Sequence, residues 1–243
     1  MSPDVSVKTL VIDGRDVGAT GEQTILEVAR EHGVRIPTLC HLEGLMPAGA
    51  CRMCLVEVVG SNKLLPACVT KVSEGMEVRT HTPELLELRR MTLELLFAER
   101  NHICSVCVSN GHCQLQALAT EHGIDHIRFP YQYPRLQVDT THPRYGMDPN
   151  RCVLCGRCVR VCAEVEGAHT WDLMGRGAGT LVTAELRTPW GLAQSCTSCG
   201  KCVQVCPTGA LFDKGRAVAE MEKRREFVPA ILAGRDEEEE LVP

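Results

Sequence analysis

The segments RCVLCGRCVRVC (151–162) and SCTSCGKCVQVCPTGAL (195–211) decide how this chain folds. Each spaces its cysteines as C-x2-C-x2-C-x3-C, and the second runs on into Pro207. Three thiolates two residues apart can wrap one face of a cubane iron–sulfur cluster. The fourth, on the following turn, points away and serves a second cluster. Cys152, Cys155, Cys158 and Cys206 are therefore expected to hold one [4Fe–4S] cluster, and Cys196, Cys199, Cys202 and Cys162 another. Ala163 stands where this motif often has Pro and removes no ligand. Structural zinc on paired C-x2-C knuckles is the competing reading. Two full runs in the same register favour clusters.

The remaining cysteines extend the pattern. The 243 residues carry 15 cysteines. Cys40, Cys51, Cys54 and Cys68 form C-x10-C-x2-C-x13-C, which differs from the plant-ferredoxin spacing in its first loop. A tight Cys51-Arg52-Met53-Cys54 pair with two distant partners fits a [2Fe–2S] cluster. A zinc ribbon fits less well, because Cys40 and Cys68 form no knuckle. Cys104, Cys107 and Cys113 are one ligand short of a third [4Fe–4S] set. Imidazole can replace thiolate on cluster iron, so fifteen cysteines and one histidine would supply sixteen ligands with no thiol left over. Of nine histidines, His102, two residues before Cys104, is the best placed. His112 adjoins Cys113 and would crowd the same iron's neighbours.

Local patterns place these groups on an α+β chain. Val5, Val7, Leu10 and Ile12 alternate as a strand, and Asp13-Gly14 predicts a hairpin turn into 15–19. Thr24 caps a helix bearing Ile25, Leu26, Val28 and Ala29 that ends at Gly33. Leu55 to Val59 reads as a strand. The loop between, 39–53, holds Gly44, Pro47 and Gly49, as a backbone wrapped closely round a cluster needs. Thr82-Pro83-Glu84 starts a helix reaching about Arg100, with Leu85, Leu88, Met91, Leu95 and Leu96 along it. Residues 126–150, with four prolines and all three tyrosines, read as an irregular connector. GRGAG (175–179) matches no phosphate loop and reads as a hairpin turn before 180–183.

The expected domains are a [2Fe–2S] ferredoxin-like (β-grasp) module at 1–80, a short helical module at 81–122 whose cluster takes one histidine and three cysteines, and a bacterial-type two-cluster [4Fe–4S] ferredoxin module at 123–215. An acidic tail follows at 216–243. Aromatic residues are scarce, so metal centres are expected to carry much of the stability. A net charge of -5 argues against a nucleic-acid or anionic-membrane surface. Much of it is the run 236–240, which reads as solvated. No apolar stretch approaches the length of a membrane span, and MSPDVSVKTL shows no secretory pattern. So many free thiols suit a reducing cytoplasm.

The stretches GACRMCLVEV, NHICSVCVSNGHCQLQ, RCVLCGRCVRVC and SCTSCGKCVQVCPTGAL, in this order, resemble a known iron–sulfur front end. It is shared by the complex I large iron–sulfur subunit, [FeFe]-hydrogenases, NAD-linked formate dehydrogenases and the diaphorase of NAD-reducing [NiFe]-hydrogenases. Several members place the histidine ligand four residues before the first cysteine of its group. Here Arg100 stands there and His102 follows. About 30 residues follow Phe212, too few for the large domains of the first three groups. The resemblance thus implies the small diaphorase subunit of a cytoplasmic NAD-reducing (bidirectional) [NiFe]-hydrogenase. It implies electron transfer between the hydrogenase small and large subunits and a flavoprotein diaphorase subunit that alone binds FMN and NAD, with no active site in this chain. The alternative is an iron–sulfur subunit of an NAD-linked formate dehydrogenase or multimeric [FeFe]-hydrogenase.

Overall fold

The computed structural model describes residues 7–240, with side chains to 235, so Val5 and the side chains of 236–240 lie outside the described residues. The chain divides into two compact units, 1–41 with 47–92, and 42–46 with 93–243.

The first unit is a five-stranded mixed sheet with one helix packed on it. Strands β1 (Val7–Ile12) and β2 (Arg15–Thr20) pair antiparallel through a two-residue loop. Asp13 and Gly14 take φ of 50° and 78°, the left-handed pair that matches the twist of a tight hairpin. Helix α1 (Ile25–Glu31) opens on a capping box: Thr24 accepts from the Glu27 N–H, and the Glu27 carboxylate accepts from the Thr24 N–H. Its Ile25, Leu26, Val28 and Ala29 are buried against Leu10, Ile12 and Val17 of the hairpin and Val56 and Val78 beyond it. Strands β3 (Leu55–Val58), β4 (Leu65–Pro66) and β5 (Glu77–Arg79) complete the order β2-β1-β5-β3-β4, with β1 and β5 parallel. Cys54 and Cys68 sit inside this core.

Helix α2 (Pro83–Glu99) begins where Thr82 Oγ1 accepts from the Leu85 N–H. In its first half Arg89, 1% exposed, sends Nε to the Met53 carbonyl (3.1 Å) and a terminal nitrogen to that of Leu55 (2.9 Å). These are the carbonyls flanking Cys54.

The second unit has short helices and two small sheets round a core that includes cysteine sulfur. After α3 (Gln114–Glu121) comes β6 (Tyr145–Met147), inside the stretch expected to be irregular. It pairs antiparallel with β9 (Leu211–Asp213). Gly146 faces Phe212 so closely that a Cβ there would lie 2.4 Å from the ring. Helix α4 (Arg157–Arg160) runs on into a wider π-turn, 161–166, that carries Cys162. Strands β7 (Trp171–Met174) and β8 (Leu181–Ala184) form the hairpin anticipated around 175–179, and α5 (Lys201–Val205) follows. Val161, Trp171, Trp190, Val203, Val205 and Leu211 form the centre of this core.

Upstream of the run 236–240, whose side chains lie outside the described residues, the stretch 216–235 packs partly against the second core. Ala219 and Met221 donate backbone N–H bonds to the carbonyls of Cys107 and Val108. Met221 and Val228 are buried, the latter at the start of α6 (Phe227–Glu240). The charge run masks an apolar segment just upstream that has a groove to fill. Among the described residues no helix is long and apolar enough to cross a membrane.

Replacing Arg89 by Met would leave two buried carbonyls without their charged donor. The expected loss is about 2–3 kcal/mol, read as a lower urea midpoint at unchanged denaturant slope.

Candidate metal centres

The N-terminal cysteines meet at one edge of the first core. The Cys40 N–H points at Cys51 Sγ (3.3 Å) and the Cys51 N–H at Cys40 Sγ (3.5 Å). Cys54 and Cys68 form the other sulfur pair. The bond to Cys68, then burial, pushes the Cys54 thiol far above its usual range, and the same bond holds Cys68 down to about 7. Backbone N–H groups of Met53 and Gly49 also turn toward Cys51 and Cys68. Arg52 and Gly49 reach this arrangement through φ of 58° and 60°. Inward N–H groups in such a nest stabilise negative sulfur.

In the second unit the three cysteines of the short set share a pocket with His102. Cys104, Cys107, Cys113 and His102 line it together with Phe97, Arg151 and Gly209. The His102 ring hydrogen-bonds to the backbone of Leu96 and packs edge-on to Phe97 at 5.4 Å, while its buried Nε2 has no partner. Burial first, then Arg151 and Arg100, depress its pKa to about 4. The imidazole is thus neutral, with a lone pair free for a metal. An orphaned buried nitrogen beside three thiols is the donor set a His-ligated cluster needs. Arg100, four residues before Cys104, donates to the Thr180 carbonyl (2.7 Å).

The two long runs fold into matching loops. In each, the residue before the second cysteine and the glycine after it are left-handed: Leu154 and Gly156 at 51° and 68°, Ser198 and Gly200 at 59° and 74°. Such alternation turns successive N–H groups into the loop's concave side. Leu154 N–H reaches Cys152 Sγ at 3.4 Å. Helices α4 and α5 then carry Cys158 and Cys202 inward. Cys152, Cys155 and Cys158 share a cavity with Cys206 and Pro207, across the two runs. Cys162, Cys196 and Cys199 gather round Cys202, where burial, and then these neighbours, raise its thiol. Thr170 N–H points at Cys162 Sγ (3.3 Å).

The thiols of Cys152 and Cys155 are pushed up by burial to about 12 and about 11, and that of Cys158 also rises. A metal bound there would have to displace these protons, and its positive charge would offset the burial that raises them. Cys206 departs from its neighbours: burial raises it, yet Lys223 and the N–H groups of Leu211 and Thr208 leave it lowered. Among the described residues no three His, Cys, Asp or Glu side chains converge closely enough for a single metal ion. The sulfurs instead stand around cavities.

Several residues here carry no motif signature. Gly209 is one: a Cβ on it would lie 2.4 Å from Cys107 Sγ. The P-T-G after Cys206 hints at a close approach but not at what approaches. Gly209→Ala should displace Cys107 and remove one cluster's worth of iron, about four per chain. Iron assay and cluster spectroscopy should find the other signals intact.

Known iron–sulfur proteins match the chain along most of its length. Residues 7–83 match the model of the 2Fe-2S iron-sulfur cluster binding domain, 89–128 the NADH-ubiquinone oxidoreductase-G iron-sulfur binding region, and 143–212 the NADH-quinone oxidoreductase subunit 3 ferredoxin-like domain. The NAD-reducing hydrogenase HoxS subunit gamma of Cupriavidus necator is 38% identical over 169 residues, 69% of this chain and 71% of its own. A chain in the crystal structure of an NAD+-reducing [NiFe]-hydrogenase in the H2-reduced state superposes with a TM-score of 0.82 at 34% identity, covering 92% of this chain and 95% of that one. The NADPH-Fe(3+) oxidoreductase subunit alpha of Geobacter sulfurreducens is 36% identical over 206 residues, and the chain spans 24% of its length. These modules define an iron–sulfur electron-transfer subunit of the NADH-quinone oxidoreductase type. Within that class the chain belongs to the family of the gamma subunit of NAD-reducing hydrogenase.

Proposed function

We propose that this chain relays single electrons through one [2Fe–2S] and three [4Fe–4S] clusters, between a [NiFe]-hydrogenase subunit pair and a cytoplasmic flavoprotein that binds FMN and NAD. The complex would interconvert H2 + NAD+ with NADH + H+. What supports this reading most is that the cysteines lie near one another as the four sets require, with His102 lining the same pocket as Cys104, Cys107 and Cys113. Cys40, Cys51, Cys54 and Cys68 would hold the [2Fe–2S] cluster. The clusters store and pass one electron at a time. The chain's own work is to hold them, to turn N–H groups toward their sulfurs and to keep water from them. NADH gives up a hydride, which a flavin divides into single electrons. That step belongs to the partner, and this chain needs no active site of its own.

Anaerobically prepared protein should carry about 14 irons, two plus three times four, with little zinc. Cys206→Ala should first damage the cluster of Cys152, Cys155 and Cys158, and Cys162→Ala that of Cys196, Cys199 and Cys202. Zinc near four with negligible iron would end this reading.

The single chain should neither oxidise NADH nor consume hydrogen. Mixed with the flavoprotein it should be bleached by NADH, and in the full complex also by hydrogen. NADH oxidation by the flavin-free chain would place an active site within it.

A further inference from the structure

Two sulfurs of one set have side-chain partners from outside the cysteine motif. Trp190 directs its indole Nε1–H at Cys196 Sγ, 3.3 Å away. Trp171 lies beside Cys202 and holds its thiol lower than burial alone would. These are the two tryptophans of the whole chain. Both are buried, at 1% and 4% exposure, and their rings meet edge to face at 4.8 Å.

The placement is held firmly. The Trp190 N–H donates to Asp139 Oδ2 at 2.7 Å, and its ring lies against His142 and Tyr145 at 4.8 and 5.6 Å. Gly191 lets the chain pass the Thr141 carbonyl, which a Cβ would approach to 2.3 Å. Trp171 is fixed by β7, where it pairs with Ala184. A buried indole N–H needs an acceptor. A neutral thiol is a weak one, whereas a sulfur bearing negative charge accepts strongly. The Trp190 indole aimed at Cys196 Sγ, with Trp171 beside Cys202, is matched only when those sulfurs are charged, as they are on a cluster.

We infer that Trp190 and Trp171 set the reduction potential of the cluster held by Cys162, Cys196, Cys199 and Cys202, raising it. This rests on the four-cluster reading above. Reduction places one further negative charge on the cluster and its sulfurs. Donors already aimed at those sulfurs stabilise the reduced form more than the oxidised form. The second cluster of the module can receive no indole donor, because the sequence holds no third tryptophan.

The test is a redox titration of the full chain followed by electron paramagnetic resonance. Trp190→Phe and Trp171→Phe each keep an aromatic ring and delete the N–H. Each should lower one [4Fe–4S] potential so that its reduced-to-oxidised ratio at fixed potential falls about threefold, about 28 mV on the scale where tenfold is about 59 mV. The other signals should hold. Because the phenyl ring is smaller, a second preparation replaces both tryptophans with benzothienylalanine, which keeps the bicyclic shape and lacks the donor. It should show the combined drop at unchanged iron content. Indole labelled with 15N should in turn couple magnetically to that reduced cluster, and Trp190→Phe should remove one coupling. Full iron with unchanged potentials, or a shift confined to another cluster, overturns the inference and leaves the four-cluster reading standing. Missing iron in the unsubstituted chain overturns that reading itself.

Discussion

The fold depends on burying cysteine sulfur together with the backbone N–H groups that face it. Neither is tolerable alone. An unpaired buried N–H costs as much as a lost hydrogen bond, and a buried thiolate without a counter-charge reverts to a thiol. The loops solve both problems in one arrangement, turning N–H groups inward through left-handed residues at Arg52, Leu154 and Ser198. Non-glycine residues hold that conformation only where the surroundings impose it. Sulfur also does work that aromatic residues do elsewhere. Cys54 and Cys68 belong to the first core, and Cys158, Cys162, Cys202 and Cys206 to the second. A chain with four phenylalanines and two tryptophans has little else to fill those places.

What could be read from sequence follows from the range of the forces involved. The spacing of two residues within each run is a local constraint, so the wrapped face was legible. The spacing also predicts that Cys162 and Cys206 turn toward the opposite run, and each lies near it. The Asp13-Gly14 hairpin and the Thr24 cap are equally local. The His102 choice came from counting ligands, and its setting became visible only when Phe97, Arg151 and Gly209 came to line the same pocket.

The misreadings are all non-local. Strand β6 is three residues long in a proline-rich stretch, and it exists because β9, far along the chain, offers a matching edge. The acidic run 236–240 draws the eye to solvent, yet upstream of it Met221 and Val228 are buried against other parts of the chain. Charge near the end of a sequence says where solvent is wanted, and it says nothing of the apolar residues just before it.

The two halves of the C-terminal module show why this matters for function. Their cysteine runs share spacing and left-handed residues at matched positions. Devices common to both halves cannot make two clusters differ. Differences must come from outside the repeat, and there the halves diverge. One set meets the indoles of Trp171 and Trp190. The other meets the strap 219–225, which sets Lys223 on the carbonyls of Val203 and Leu211 and Arg225 on that of Cys206. Fixed cations act through space on any sulfur nearby, while an indole acts on the one sulfur it touches. The repeat therefore defines where electrons can rest. The unrepeated residues around it decide how firmly each is held.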